Sequence, residues 1–273
     1  MVAGAEIATI TYHEVTDQPT TSGFQRAGAL PYVLSRRAFR EQLDLIAAGP
    51  YEPSLVTEVH WTRLSRNLCL TFDDGGKSAS WAADELSRRG WRGHFFIVTD
   101  KIGDPAFLDV SEIRALRVAG HLVGSHSHTH PDIFRDLPVA RMIEEWRVSG
   151  DRLAQLLGEP CLAGAVPGGD ISPAVLQSAA DAGLRYLFTS EAWLAPRRVN
   201  GCWVLGRFAP KVTTPAARVA NLAQFRGWTR ARARRELTVF AKRAMGPLYR
   251  AYVARSIRDS APPPAEGSAG ASP

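Results

Sequence analysis

Short runs of apolar, β-favouring residues alternate along this chain with segments whose apolar residues recur every three or four positions. This alternation is typical of an α/β fold, either a parallel sheet or an α/β barrel. Strands are predicted at 7–12, 68–72, 94–99, 122–125, 162–166, 184–189 and 203–208. Helices are predicted at 36–48, 78–89, 111–118, 138–157 and 173–182.

One strand-like run ends in two adjacent carboxylates. Residues 68–75 read Leu-Cys-Leu-Thr-Phe-Asp-Asp-Gly, so the run leads straight into Asp73, Asp74 and Gly75. Asp-Gly is also a common signal for a hairpin turn, and the stretch alone is compatible with that interpretation. Two neighbouring carboxylates repel each other, so a functional interpretation requires a positive charge beside them. α/β barrels carry their chemistry at the C-terminal ends of their strands, where this pair is predicted.

Two histidines four residues apart follow a later strand. If the segment from His126 to His130 forms one helical turn, both imidazoles lie on the same face and can bind one metal ion. A carboxylate from another loop would complete a set of two histidines and one acid, leaving positions open for water and substrate. Asp73 and Asp74 are candidates for that carboxylate, and the cation would relieve their repulsion. Together the two segments indicate a metal site.

These segments resemble the motifs of a known family. Residues 71–75 (Thr-Phe-Asp-Asp-Gly) are similar to the first motif of the polysaccharide deacetylases, the NodB-homology domain of carbohydrate esterase family four. Residues 126–130 (His-Ser-His-Thr-His) are similar to the second motif, His-Ser/Thr-x-x-His, and residues 93–99 resemble the family's Ala-Thr-Phe-Phe strand. The resemblance extends over about residues 7–210. It implies the family's fold, an incomplete or distorted (β/α) barrel.

The resemblance also implies a reaction and the role of each residue. Asp73 would be the general base, and Asp74, His126 and His130 would bind a divalent transition metal, usually Zn²⁺ in this family, with Co²⁺ or Mn²⁺ as alternatives. The implied reaction is hydrolysis of the N-acetyl, or occasionally O-acetyl, group of an acetylated amino-sugar. The metal would polarise the acetyl carbonyl and bind the attacking water, whose proton Asp73 would remove.

Two departures from the family pattern concern the groups around Asp73. The third motif, Arg-x-Pro-x-Gly in the family, corresponds here to residues 165–169 (Ala-Val-Pro-Gly-Gly), so Ala165 replaces the arginine that normally holds the base. The family's late histidine, its usual general acid, has no counterpart, because all seven histidines lie at or before His130. Either His13, at the end of the first predicted strand, takes that role, or metal-bound solvent protonates the leaving amine.

Substrate contacts are expected near the third motif and the last two strands. Arg207 lies in the strand that would carry the late histidine. Trp193 is either a wall of the acetyl pocket or a core aromatic. The candidate substrate-binding residues are Pro167, Gly168, Gly169, Trp193 and Arg207.

The C-terminal part of the chain differs in charge from the rest. The net charge is +6, and residues 207–258 carry 13 Lys/Arg against one acid, which leaves the remainder at −6. We expect a deacetylase-like barrel at 1–210, a basic helical extension at 211–258 and a disordered tail at 259–273. Leu237, Phe240, Ala244 and Leu248 form a stripe at helical spacing, broken by the Gly-Pro pair at 246–247. The stripe can lie on an anionic membrane or pack against the barrel, and packing is the favoured interpretation.

Composition sets further expectations. The N-terminus lacks a secretory signal pattern, and the three cysteines (Cys69, Cys161 and Cys202) suggest neither disulfides nor a zinc ribbon. A cytoplasmic protein is therefore expected, either free or peripheral to the inner face of the membrane. The substrate would then be a lipid-linked or nucleotide-linked sugar or a small glycoside, and no nucleic-acid partner is expected. Two alternatives remain open. One is an amidase of the same fold that cleaves a non-sugar C–N bond, and the other is a catalytically silent sugar-binding relative.

Overall fold

The computed structural model describes residues 4–245, except for the side chains of 241–244. The strands are β1 (Glu6–Tyr12), β2 (Arg66–Phe72), β3 (His94–Ile97), β4 (Leu122–Ser125), β5 (Ala163–Ala165), β6 (Tyr186–Phe188), β7 (Arg197–Val199) and β8 (Cys202–Leu205). The helices are α1 (Arg36–Ala47), α2 (Ser78–Ser87), α3 (Val110–Val118), α4 (Val139–Leu157), α5 (Pro173–Asp181), α6 (Ala216–Ala223) and α7 (Trp228–Ala244).

The strands form one sheet in the order β1-β2-β3-β4-β5-β6-β8-β7. Neighbouring strands pair in parallel except β7, which is antiparallel to β8. Just after β8, Phe208 forms a parallel bridge with Ile10, and its N–H donates to the Thr9 carbonyl at 2.9 Å. The sheet therefore curls until its last parallel strand reaches its first. The predicted incomplete (β/α) barrel is confirmed.

All seven predicted strands are present, with ends that differ by a few residues. The missed strand, β7, is short, and its Arg197 and Arg198 are exposed, so it has no apolar run to reveal it. It also pairs antiparallel, outside the alternation of strands and helices on which the prediction relied. Helix α3 was predicted to have Ser111 as its cap, which is wrong: the Asp109 carboxylate caps it by accepting from the Glu112 N–H at 3.0 Å.

Successive residues of β1 and β2 face opposite sides of the sheet. Ile10 and Phe72 belong to the core shared with helices such as α1, whereas Ile7 and Cys69 belong to a second core inside the barrel. Thr11 on β1 and Thr71 on β2 face the same inner side of the sheet but lie nearer the C-terminal ends of their strands, so the inner face is polar there. The barrel is therefore apolar at its base and polar where the carboxylates emerge.

The C-terminal helices lie against the barrel. Val219 and Leu222 of α6 share the core that includes α1, and the Trp228 indole of α7 is buried and donates to the Leu222 carbonyl at 2.9 Å. The interpretation that the apolar stripe of α7 packs on the barrel is wrong for Leu237 and Phe240, which are 70% and 71% exposed. The predicted break at 246–247, Leu248 and the tail at 259–273 lie outside the described residues. Within residues 4–245, no helix has both the length and the apolar character needed to cross a membrane.

Replacing Gly124, which precedes the histidine loop, tests the packing of the sheet. A Cβ there would lie 2.6 Å from the Ala163 carbonyl oxygen and 2.8 Å from the Phe96 ring. We expect Gly124→Ala to lower the free energy of unfolding by about 1–3 kcal/mol, measured in urea. Gly150→Ala in α4 is the control, because its nearest contact is Cys161 at 3.9 Å, and it should be neutral or stabilising by up to about 1 kcal/mol. Equal effects of the two substitutions would contradict this packing.

Candidate active site

Asp73 and Asp74 follow β2 directly and belong to one site because the backbone reverses there. The Asp73 N–H donates to the Tyr12 carbonyl at 2.9 Å, which continues the pairing of β2 with β1. Asp74 then adopts a left-handed conformation with φ of 74°, and Gly75 has the same φ. A non-glycine residue is uncommon in that region and marks a constrained position. Both carboxylates are buried at the C-terminal end of the strand.

His126 and His130 lie in the loop that follows β4, and the structure corrects their predicted local geometry. Ser127 and His130 have φ of 65° and 53°, so the segment is not a helical turn. The loop itself brings the two rings together, with centroids 5.1 Å apart. The predicted proximity is therefore present, but the backbone that produces it is different.

Asp74, His126 and His130 form a compact group of possible metal ligands. The Asp74 Oδ1 atom lies 3.3 Å from His126 Nε2 and 3.6 Å from His130 Nε2. One donor atom from each residue lies within 4.8 Å of the others. Two imidazole nitrogens and one carboxylate oxygen suit Zn²⁺ and other divalent transition metals.

The surroundings of His126 fix which nitrogen faces this group. Its Nδ1 lies 2.9 Å from the Ala165 carbonyl oxygen, so Nδ1–H donates there and Nε2 is the nitrogen that faces Asp74. Burial alone would lower the pKa of His126, but the charges of Asp73 and Asp74 outweigh it and the pKa is raised. Burial lowers the pKa of His130 to about 4, which favours the neutral form able to bind a metal.

A buried arginine from the end of β8 holds Asp73. Nη1 and Nη2 of Arg207 donate to Oδ1 and Oδ2 of Asp73 at 2.6 and 2.8 Å. Arg207 also donates to the Thr11 hydroxyl at 3.0 Å, the Thr71 hydroxyl at 3.2 Å and the Thr189 carbonyl at 2.9 Å. The side chain is only 1% exposed. Arg207 therefore fills the position opposite Asp73 that the third motif had left without an arginine.

The nearby positive charges determine the ionisation of both carboxylates. Burial raises the pKa of Asp73, but the charges of Arg207, His126 and His13 outweigh it and the pKa is below its usual range. Burial would likewise raise the pKa of Asp74. Other interactions, which include the hydrogen bond with His126 and the charge of His13, outweigh burial and bring this pKa well below its usual range. Both groups are therefore ionised at neutral pH.

His13 lies at the same site. Its charge is felt by Asp73 and by Asp74, which places the imidazole near both carboxylates. Its ring lies 5.0 Å from that of Tyr32, and its Nδ1 is buried without a hydrogen-bond partner among the described residues. The imidazole thus lies near the carboxylates with its Nδ1 unbonded among the described residues.

Two buried glutamates support the site, and sequence reasoning missed both. Glu145 of α4 accepts from the His128 and Thr129 backbone N–H groups at 2.9 and 2.7 Å, which anchors the histidine loop. Glu14 accepts from the Ser78 hydroxyl at 2.6 Å, and burial, with help from the Asp74 charge, raises its pKa to about 7. The available signals were the acid next to Trp146 on the inner face of a helix and the acid directly after His13.

The remaining predicted substrate-binding residues, those of the third motif and Trp193, lie in different surroundings. Pro167 and Gly169 are buried, and Gly168 lines a cleft that also reaches Arg207. The Trp193 ring lies beneath the Arg197 guanidinium, 3.9 Å from it, and close to Gly206. Its described contacts are thus with the β7–β8 region.

Comparison with known proteins agrees with the motifs. The sequence profile of the family described as Polysaccharide deacetylase matches residues 62–187, a segment that contains Asp73, Asp74, His126 and His130. No curated protein matches the chain.

Solved structures share the fold. IcaB from Ammonifex degensii is 23% identical, with a TM-score of 0.64 over 80% of this chain and 97% of the other. A polysaccharide deacetylase from Bacillus cereus is 19% identical, with a TM-score of 0.67 over 81% and 69%. The Streptococcus pyogenes deacetylase PplD, solved in complex with acetate, is 18% identical, with a TM-score of 0.63 over 81% and 98%. At these identities the similarity establishes the fold.

The family profile, the two motifs and the fold agree with one another. They support carbohydrate deacetylation as the general activity of the protein. Residues 62–187 therefore match the polysaccharide deacetylase family, and the chain shares the fold of solved polysaccharide deacetylases.

Proposed function

We propose that this protein is a divalent-metal-dependent hydrolase that removes the N-acetyl group from an amino-sugar. The observation that carries the proposal is the division of labour between two adjacent carboxylates. Asp74 lies with His126 and His130 in a ligand group, whereas Asp73 is held separately by Arg207. Binding of a sugar alone would require neither arrangement.

The ligand group fits a metal of the zinc type. Its three donors are buried or half-buried, and His126 presents Nε2 because its Nδ1 is engaged with a backbone carbonyl. Zn²⁺ is the proposed ion, with Co²⁺ or Mn²⁺ as alternatives. When bound, the ion would act as a Lewis acid on the acetyl carbonyl and lower the pKa of water.

Asp73 is the proposed general base. Arg207 keeps it ionised, and each of its oxygens retains a lone pair beyond the one that accepts from the guanidinium. Its Oδ2 lies 4.0 Å from His126 Nε2, so it borders the ligand group. It can therefore take a proton from a water that attacks the acetyl carbon.

His13 is the proposed general acid. The C–N bond breaks as the acetyl carbon gains the water oxygen, and the leaving nitrogen must receive a proton. The His13 imidazole lies near both carboxylates, and its Nδ1 has no hydrogen-bond partner among the described residues, which suits a group that donates to the substrate. In family members that have the late histidine, that residue would donate this proton instead, and it lies late in the sequence rather than near the N-terminus.

The proposed substrate is a sugar precursor of glycan biosynthesis inside the cell. The cleft beside Arg207 and Gly168 is the proposed binding region, and contact of the basic α7 with an anionic membrane remains part of the proposal. Pro167, Gly169 and Trp193 remain candidates for shaping the walls of the site.

Acetate release from N-acetylated amino-sugars, with and without a chelator, tests the proposed function. We expect release that a chelator abolishes and Zn²⁺, Co²⁺ or Mn²⁺ restores. Metal binding without release from any sugar would favour an amidase with another C–N substrate. Absence of metal binding would favour a silent sugar-binding protein.

The adjacent carboxylates provide a matched pair of substitutions. Asp73→Asn should retain the metal and lower kcat by about 10²–10⁴-fold, because the general base is lost. Asp74→Asn should lose metal affinity as well as activity, because a ligand oxygen is lost. Metal content by atomic absorption and acetate release would be measured on the same samples. A reversed pattern of metal content would exchange the two roles.

The role of His13 can be tested through the leaving group. His13→Gln should lower acetamide hydrolysis by about 10²–10⁴-fold, because the amine can no longer be protonated efficiently. Hydrolysis of an aryl acetate, whose leaving group needs no proton, should fall much less. If both substrates lose activity equally, His13 is not the general acid.

The Asp73–Arg207 pair has a predicted effect on stability. Arg207→Met leaves a buried charge without a partner, so the free energy of unfolding should fall by about 3–5 kcal/mol in chelator-treated protein. Arg232→Met is the control. It removes an exposed ion pair with Glu236, whose N···O distance is 2.7 Å, and should lower the free energy of unfolding by less than about 1 kcal/mol.

The pH dependence has a definite sign. Because Arg207 lowers the pKa of Asp73, the pair stabilises the protein at neutral pH, and this stabilisation is lost as the pH falls below the unfolded value of about 3.9. The difference between wild type and Arg207→Met in urea unfolding should therefore narrow in acid. A difference independent of pH would contradict the pairing.

A further inference from the structure

A basic cleft of about 730 Å³ opens beside the Asp73–Arg207 pair. It lies between the loop after β8, the α6 region and α7. Its volume is within the usual range for small-molecule sites. The residues on which the inference depends are Tyr32, Gly168, Arg207, Lys211, Arg218 and Arg234.

Three cations of this cleft have no acidic partner among the described residues. Within the part of the chain that the structure describes, no carboxylate lies within 4.0 Å of the charged groups of Lys211, Arg218 or Arg234. The pKa of Arg218 is lowered by burial and by the Arg234 charge, which means that these two like charges are close. Clustered positive charges without a counter-charge repel one another and lower the stability of the folded chain, unless an anion binds between them.

Neighbouring arginines do not share this property. Arg235, on the same helix, bonds to Asp170 at 2.7 Å and to Glu191 at 3.0 Å. Arg207, at the deep end of the cleft, is neutralised by Asp73. Among the described residues, acids thus neutralise Arg207 and Arg235, whereas Lys211, Arg218 and Arg234 have no carboxylate within 4.0 Å.

Aromatic rings position two of these cations. The Lys211 Nζ atom lies 5.4 Å from the centre of the Tyr32 ring, and the Arg218 guanidinium lies 5.1 Å from that of Phe208. The rings favour these positions of the side chains without taking up their hydrogen-bond donors. Tyr32 also contacts His13, so the cleft borders the reacting end of the site.

We infer that this cleft binds a phosphate or pyrophosphate ester on the anomeric oxygen of the substrate, which makes the substrate a glycosyl phosphate. This inference rests on the proposed deacetylation at Asp73. In a 2-acetamido sugar, the acetamide on C2 and the oxygen on C1 occupy neighbouring carbons. An acetamide placed at Asp73 therefore directs the C1 substituent toward an adjoining space, and the adjoining space here is cationic.

Phosphate chemistry fits the cleft better than a carboxylate does. A uronic acid offers one charge on two oxygens, whereas a pyrophosphate diester offers two charges on several oxygens. Three separate cations match the second pattern, and guanidinium groups are well suited to paired contacts with phosphate oxygens. Thr213 and Thr214 add hydroxyl groups to the same lining.

Pyrophosphate binding to the full chain, measured by titration calorimetry, tests the cleft without requiring turnover. We expect Lys211→Gln, Arg218→Gln and Arg234→Gln each to weaken binding by about tenfold or more, because each removes a charge-assisted contact. Arg230→Gln is the control, because it removes one positive charge from α7, the helix that carries Arg234, at a position that does not line the cleft. Equal affinity of the wild type and the triple variant would overturn the inference, as would glucuronate binding as tight as that of pyrophosphate. Circular dichroism would verify that each variant is folded.

Acetate release then connects the cleft to the substrate. Wild type should favour N-acetylglucosamine linked to a pyrophosphate over its neutral methyl glycoside, and the triple variant should lose this preference through KM with little change in kcat. A uridine diphosphate sugar and a polyprenyl diphosphate sugar are tested separately. The one with the higher kcat/KM shows whether the phosphate belongs to a nucleotide or to a lipid carrier. Equal kcat/KM for charged and neutral sugars would overturn the inference.

The two hypotheses can fail separately. Pyrophosphate binding that depends on the three cations, without deacetylation of any sugar, would support the cleft and contradict the proposed function. Deacetylation of neutral sugars with binding insensitive to the three substitutions would support the proposed function and contradict the cleft.

Discussion

The buried ion pair between Asp73 and Arg207 is the interaction on which the site depends. A carboxylate taken out of water at a strand end is costly unless a well-aligned partner accompanies it. The guanidinium meets both carboxylate oxygens and uses its remaining donors on hydroxyl and carbonyl oxygens of three strands or their ends. Asp73 can therefore remain ionised and separate from the neighbouring ligand group.

The curl of the sheet makes this pair possible. Arg207 follows β8, and Asp73 follows β2, so a flat sheet would hold them far apart. The bridge between Phe208 and Ile10 brings the end of β8 beside β1, and the polar inner positions Thr11 and Thr71 receive the guanidinium. The arginine implied by the resemblance in the third motif is absent here, and the strand that closes the barrel leads into Arg207, which lies opposite Asp73 instead.

Local pattern predicted the strands, the helices and the two motifs, because each depends on residues close in sequence. The helical turn predicted from His126 to His130 was wrong, because left-handed residues, which spacing does not reveal, shape that loop. Arg207 was recognised as a candidate, but its partner depends on how far the sheet curls, which no local pattern encodes. The same limit applies to Glu145, whose contacts with the histidine loop arise only when α4 packs beside β4. The cationic cleft likewise forms from segments that meet only in the folded chain.

The separate roles of Asp73 and Asp74 are tested most directly by a crystal structure of the zinc-loaded protein, with the ion located by its anomalous scattering. Zn²⁺ is expected within about 2.0–2.2 Å of Asp74, His126 and His130, with both oxygens of Asp73 still paired with Arg207 and free of the metal. Zinc bound by Asp73, or Arg207 turned away from it, would contradict the separation of base and ligand on which the proposed function rests.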